Sequence, residues 1–323
     1  MKAIHLTAFG NPIDSFELVE VPEPPAPGAG QVLLGILFAP INFADLLIAR
    51  GVYPIRPSTL PSVIGNEGVG RVLAVGPGVT HVKVGDRVLA PLNGPTWTER
   101  AVFPAQDLFA LPEGADARQL AMAVINPPTA ALILSEFVDL KPGDWVVQNA
   151  ANSGVGRAVI AFAKKRGLRT INLVRRPELV EELKAAGGDV VLVDGPDAPA
   201  YVRAAVGTAL PRLGIDAIGG SATPSLAKLL GTGGSVVLYS QVGGQPPAVE
   251  GTELIFRGIS VHGLWVAAPQ FAAKVVAAER ETAELIASGQ LHVPVVATYP
   301  LSAIKEAVAR AERWGKVLLQ IGD

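Results

Sequence analysis

The stretch that decides the fold reads Trp145-Val146-Val147-Gln148-Asn149-Ala150-Ala151-Asn152-Ser153-Gly154-Val155-Gly156. Residues 145–149 form a short run suited to a buried strand. A turn of small residues follows, and then a helical pattern over 155–166. Working outward, residues 170–174 read as a second strand, and 177–186 as a helix with acidic residues near its start. Further strands are expected at 189–193, 215–218, 235–239 and 259–264, with helical or loop material between. Strands alternating with helices imply βαβ units and a doubly wound parallel sheet, an α/β fold. Such strands are covered on both faces, so each is expected to be continuously apolar.

The flanks have another rhythm. Residues 1–120 hold short apolar runs, such as 31–41, 69–75 and 87–90, cut by Pro24-Pro25, Gly76-Pro77-Gly78 and Gly85-Asp86. That pattern predicts a mainly β, barrel-like domain. One helical run, 45–50, stops at Gly51, a natural residue to follow a helix end. Beyond Trp265 come two helical patterns, 270–288 and 302–314, with residues 293–298 between them and a last strand at 316–321. The organisation expected is 1–120, a mainly β domain; 121–265, the parallel-sheet domain; and 266–323, a return to the first.

Composition narrows the classes. The 323 residues carry 27 Lys plus Arg against 29 Asp plus Glu, a net charge of −2. The longest basic run is Lys164-Lys165-Arg166, inside a helical pattern, so no stripe suits nucleic-acid phosphates. With no cysteine, disulfides, iron–sulfur clusters and thiolate zinc sites are excluded. No leader-like apolar core or membrane span is indicated, and the expected location is cytoplasmic.

The turn 150–156 and the helix N-terminus after it suit a pyrophosphate. Aligned on its last glycine, the fingerprint has Ala151 and Ser153 where the first two glycines usually stand. The next strand ends Val174-Arg175-Arg176-Pro177, without the carboxylate that ordinarily receives a ribose 2′-hydroxyl. Two guanidiniums suit a 2′-phosphate instead, so the cofactor expected is NADPH rather than NADH. A solvated basic pair is the plainer reading; the spacing from Gly156 favours the first.

Gly65-Asn66-Glu67-Gly68-Val69-Gly70 resembles the signature of the medium-chain dehydrogenases/reductases. Zinc alcohol dehydrogenases of that superfamily carry a ligand histidine where this chain has Asn66. His5, His81, His262 and His292 lack ligand spacing, so no metal is expected. Within the superfamily the chain resembles the 2-enoyl thioester reductases, the group that includes mitochondrial enoyl-[acyl-carrier-protein] reductase. The resemblance is densest at Pro40-Ile41-Asn42-Phe43-Ala44-Asp45, Gly51-Val52-Tyr53-Pro54, Asn126-Pro127-Pro128-Thr129-Ala130, Gln148 through Gly156, and Gly263-Leu264-Trp265. It implies a GroES-like barrel beside a Rossmann sheet.

The same resemblance implies that Tyr53 is catalytic. It assigns cofactor contacts to Asn42, Asn126, Thr129, Asn152, Ser153, Gly154, Val155, Gly156, Arg175, Arg176, Tyr239, Leu264, Trp265 and Lys316. Trp265 is also placed toward substrate. Plainer roles exist for several: Asn126 as a helix cap before Pro127, Trp265 as core, Lys316 as a surface lysine. Arg50 and Arg56 flank Tyr53 and are candidates for the phosphates of CoA or of a carrier's pantetheine arm. The reaction implied is NADPH-dependent reduction of a 2-enoyl thioester, hydride to the β-carbon and proton to the α-carbon. A tyrosine, with an ordinary pKa of about 10, is a protonated donor at neutral pH. The rivals are a zinc-free quinone oxidoreductase and a non-catalytic NADPH-binding protein. Members of the family pair their Rossmann sheets edge to edge, so a homodimer is expected, with residues 259–264 near the seam.

Overall fold

A computed structural model describes residues 1–313 and 315–322. The chain divides into two compact units: Met1–Ile125 together with Glu279–Asp323, and Asn126–Ala278. The divisions thus fall after residues 125 and 278, against the expected 120 and 265.

The second unit holds six parallel strands. In spatial order they are Val190–Val193, Arg169–Val174, Trp145–Gln148, Leu213–Asp216, Ser235–Leu238 and Ser260–Gly263. The sequence order reverses beside Trp145–Gln148, the point at which such sheets bind ligands. Helices Gly154–Lys165, Leu179–Ala185, Ala198–Val206 and Ala222–Leu229 link the strands. One core cluster gathers Val147, Ile171, Leu173, Val202, Leu226 and Val236. Another gathers Ile160, Val174, Leu183 and Val191. Helix Asn126–Glu136 precedes the sheet and begins at Asn126 itself, so this residue is its first turn rather than a cap before it.

Two expectations for these strands are corrected. Ser260–Gly263 is not covered on both faces: it is the sheet edge, and three of its four residues are exposed. The strands are also not uniformly apolar. Gln148, Asn172 and Asp216 are buried, and each is tolerated because its polar atoms find donors or acceptors.

The first unit is mainly β. Gln31–Ile41 is its long central strand, pairing antiparallel with Val69–Val75, Arg100–Pro104 and Lys316–Gln320. Val295–Pro300 adds parallel to Lys316–Gln320, so the C-terminal segment belongs to this sheet. Helices Phe43–Ala49 and Ile304–Ala311 pack on a core containing Phe16, Trp97, Leu46, Val308 and Leu319. The helical pattern 302–314 appears as a 3₁₀ turn, Leu301–Ala303, leading into Ile304–Ala311; Trp314 lies outside the described residues.

Candidate functional site

In the parallel-sheet unit the chain leaves Trp145–Gln148 and turns at once, with Ala150 at φ 46°. Ser153 caps the next helix, its hydroxyl accepting from Gly156 N–H at 3.1 Å. Only glycine fits at 156: a Cβ there would stand 2.4 Å from Ala151 O. One at Gly154 would stand 2.8 Å from Asn126 Nδ2, which places the Asn126 amide against the start of that helix. Asn126 and Asn152 through Gly156 therefore converge, whereas Thr129 is buried one turn into its own helix.

The Tyr239 side chain hydrogen bonds to Ser153, which brings it to the same turn. Burial, with Asp216 nearby, pushes the Tyr239 phenol up to about 12, so it stays protonated. Leu264 is buried, bonded through its N–H to Leu238 O, and Trp265 after it is partly exposed. Arg175 and Arg176 are both exposed at the end of Arg169–Val174. Arg176 lies 3.6 Å from Glu178, and Arg175 has no side-chain partner among the described residues. Close by, a cavity of about 360 Å³ is lined by Asn149, Leu173, Asp194, Ala222, Ser225 and Leu226.

Two supports of this turn are not apparent from sequence. Arg157 is buried, bonded to Asn152 O and ion-paired with Glu182. Asp216 accepts from Asn149 Nδ2 (2.7 Å), the Ile218 and Gly219 amides (2.8 and 3.0 Å) and the Thr223 hydroxyl (2.6 Å). A polar residue closing an otherwise apolar strand is the one signal that points to it.

In the barrel unit, Tyr53 sits on the loop after helix Phe43–Ala49, half-buried against the core. The loop is fastened at several points. Gly51 takes φ +73°, and Val52 N–H reaches Leu47 O. Arg56 donates to Gly51 O at 2.7 Å, and Arg50 pairs with Glu312 at 2.6 Å. Both arginines expected to catch phosphates thus also serve the loop's structure.

Asn42 and Lys316 come together in a buried polar cluster. Lys316 Nζ donates to Asn42 Oδ1 (2.6 Å), and Asn42 Nδ2 donates to Glu67 (2.7 Å). Glu67 also receives the amides of Val124 and Ile125. Asp45 receives Asn42 N–H and Asn66 Nδ2, each at 2.6 Å. Burial raises Asp45 to about 7 and lifts Glu67, while it lowers Lys316 against the pull of both carboxylates. Asn66 is therefore an amide donor to Asp45. Among the described residues no cluster of His, Cys, Asp and Glu is arranged to hold a metal.

Comparison with known proteins adds family context. A family model described as "Alcohol dehydrogenase GroES-like domain" matches residues 28–113, and one described as "Zinc-binding dehydrogenase" matches 154–282. A Caenorhabditis elegans protein named "Enoyl-[acyl-carrier-protein] reductase, mitochondrial" is 40% identical over 263 residues, 80% of this chain and 75% of that protein. The Bos taurus protein of that name is 35% identical over 93% of this chain and 83% of its own. Among solved structures, the mitochondrial 2-enoyl thioester reductase heterodimer of Candida tropicalis superposes with a TM-score of 0.87 at 24% identity, over 99% of both chains. A Bacillus thuringiensis structure named "putative NADPH:quinone reductase" gives 0.86 at 28%, over 99% of this chain and 98% of that one.

These relatives correct the expected cytoplasmic location, since they are named as mitochondrial proteins. That expectation rested on the lack of an apolar leader, but a mitochondrial transit segment is amphipathic and Arg-rich, so its signature differs.

Proposed function

The chain belongs to the enoyl-[acyl-carrier-protein] reductase family of the medium-chain dehydrogenases/reductases, and we propose that Tyr53 is the acid that completes its reaction. The protein is an NADPH-dependent oxidoreductase that reduces the C2=C3 bond of a 2-enoyl thioester. NADPH, when bound, supplies the hydride taken by the β-carbon. The chain fits it: at Gly156 a Cβ would strike backbone, keeping the turn close, and two exposed guanidiniums close the next strand. Asn126, Asn152 through Gly156 and Tyr239 would hold the nucleotide at the turn, with Arg175 and Arg176 on the 2′-phosphate. Asn42, Thr129, Leu264, Trp265 and Lys316 are proposed as further contacts, Trp265 also facing substrate.

The observation that carries the assignment of Tyr53 is its setting. The bonds through Gly51, Val52 and Arg56 fix the loop, and the ring is half-sunk in the core. A fixed phenol O–H is a suitable donor to an α-carbon, and positioned general acids contribute roughly 10²–10⁴-fold. Arg50 and Arg56 keep donors for the phosphates of a CoA or carrier arm, because a guanidinium has five.

The test is reduction of crotonyl-CoA with NADPH deuterated at the transferred position, in ordinary water. Deuterium at C3 alone supports the reading. Turnover of quinones without enoyl thioesters favours quinone reduction, the activity for which the Bacillus thuringiensis structure is named.

The proposed assembly is a homodimer. Ser260–Gly263 is an edge strand with unpaired backbone groups, and Ile255 and Phe256 beside it are 74% and 79% exposed. An uncovered strand edge, with apolar side chains exposed shortly before it in the chain, pairs readily with a second copy.

A further inference from the structure

Arg157 stands where a cation is locally unfavourable. It is the fourth residue of helix Gly154–Lys165, in a first turn whose dipole repels positive charge, and it is only 7% exposed. A guanidinium so enclosed is destabilising unless its charge and donors are matched. Two partners match it. Nε donates to Asn152 O at 3.3 Å, and Nη2 is paired with the Glu182 carboxylate on helix Leu179–Ala185. A residue that breaks a local rule and is then compensated is commonly a functional one.

Each partner belongs to a different part of the proposed nucleotide site. On one side, the peptide plane between Asn152 and Ser153 is held at both edges. Arg157 takes its carbonyl, and its N–H donates to Ala150 O at 2.9 Å. On the other side, helix Leu179–Ala185 closely follows Arg175-Arg176, and its Leu179 N–H reaches back to Arg176 O at 3.2 Å. Seven residues make a helix too short to hold its own place, so packing must orient it. Leu179 and Leu183 supply one apolar stripe, in a core with Ala151, Ile160, Val174 and Val191. A single stripe leaves rotation about the helix axis weakly fixed. The Arg157–Glu182 pair, at the flank of that stripe, fixes it. The neighbouring acids are engaged elsewhere, Glu178 beside Arg176 and Glu181 with Lys184.

We propose that Arg157 is a positioning residue that sets the preference for NADPH over NADH, by clamping the turn 150–156 to the helix that follows the two arginines. The inference rests on the assignment of the 2′-phosphate to Arg175 and Arg176. Arg157 needs no contact with the nucleotide. The pyrophosphate, common to both cofactors, meets the turn, and only the 2′-phosphate meets the arginines. Loosening the clamp at Glu182 therefore weakens NADPH alone, while removing Arg157 loosens both ends.

The experiment measures Kd for NADPH and for NADH by fluorescence titration of the full chain. The variants are Glu182→Ala, Arg157→Met, Arg175→Ala with Arg176→Ala, and that pair combined with Glu182→Ala; urea unfolding is followed for each. Glu182→Ala, a half-exposed helix position suited to alanine, is expected to raise Kd for NADPH roughly three- to tenfold and to leave that for NADH unchanged. Arg157→Met is expected to raise both, NADPH the more. With Arg175 and Arg176 already replaced, Glu182→Ala is expected to add nothing, because no guanidinium is left for the clamp to aim. Lower stability with the wild-type ratio of the two Kd values means that the pair only holds the fold. That result, or a full further loss in the combined variant, overturns the proposal. If Arg157→Met does not fold, Glu182→Ala decides the matter. A wild-type ratio in the variant lacking both Arg175 and Arg176 contradicts the 2′-phosphate assignment instead, and the ratio in Glu182→Ala then judges the clamp separately.

Discussion

Glu279 shows what one buried carboxyl does to the pH response. It is 8% exposed, and burial, helped by Glu67 and Asp107, raises it from 4.5 to about 8 against the pull of Arg280. The unfolded chain ionises this group above its ordinary pKa while the native chain does not. Its contribution to stability is therefore full below about 4.5 and lost as pH rises through about 8. Glu279→Gln, which imitates the protonated form, is expected to match wild type in Tm at pH 5 and exceed it at pH 8.5. The gain should be on the order of a few kcal/mol in denaturant unfolding. An equal effect at both pH values contradicts the assignment. Such environments were not legible in the sequence. Asp45 and Glu67 each draw on a partner distant along the chain, Asn66 for the first and Asn42 for the second, and no local pattern announces those two pairings.

At the scale of elements, the parallel strands were readable because residues buried between helices must be apolar in short runs. Helices Ala198–Val206 and Ala222–Leu229 were less so, since short segments rich in alanine and polar residues give weak periodicity. The exposure of Ser260–Gly263 depends on its place at the edge, which composition does not reveal. The turn before Gly154–Lys165 was legible in type, and its tolerance can be measured. Gly156→Ala drives a Cβ toward Ala151 O, so about 1–3 kcal/mol of stability should be lost in urea unfolding, with weaker NADPH binding. Wild-type stability would contradict the close approach. At the end of the next strand, replacing Arg175 and Arg176 by Ala should weaken NADPH binding by about 1.5–3 kcal/mol for each charged hydrogen bond lost. NADH, lacking the 2′-phosphate, should be little changed in the same titration. Equal losses for both would remove these residues from the 2′-phosphate site.

For the whole molecule, the edge strand and the apolar side chains beside it predict a dimer in light scattering at micromolar concentration. Val261→Pro, which removes an edge N–H, is expected to shift it toward monomer. A monomeric wild type would refute the assembly. The central claim is the proposal that Tyr53 supplies the proton when an enoyl thioester is reduced. Its most direct test is kcat for crotonyl-CoA reduction by Tyr53→Phe, which keeps the ring in the core and removes only the phenolic proton. The account predicts a fall of roughly 10²–10⁴-fold with NADPH affinity unchanged. A Tyr53→Phe enzyme that reduces crotonyl-CoA as fast as wild type would contradict it.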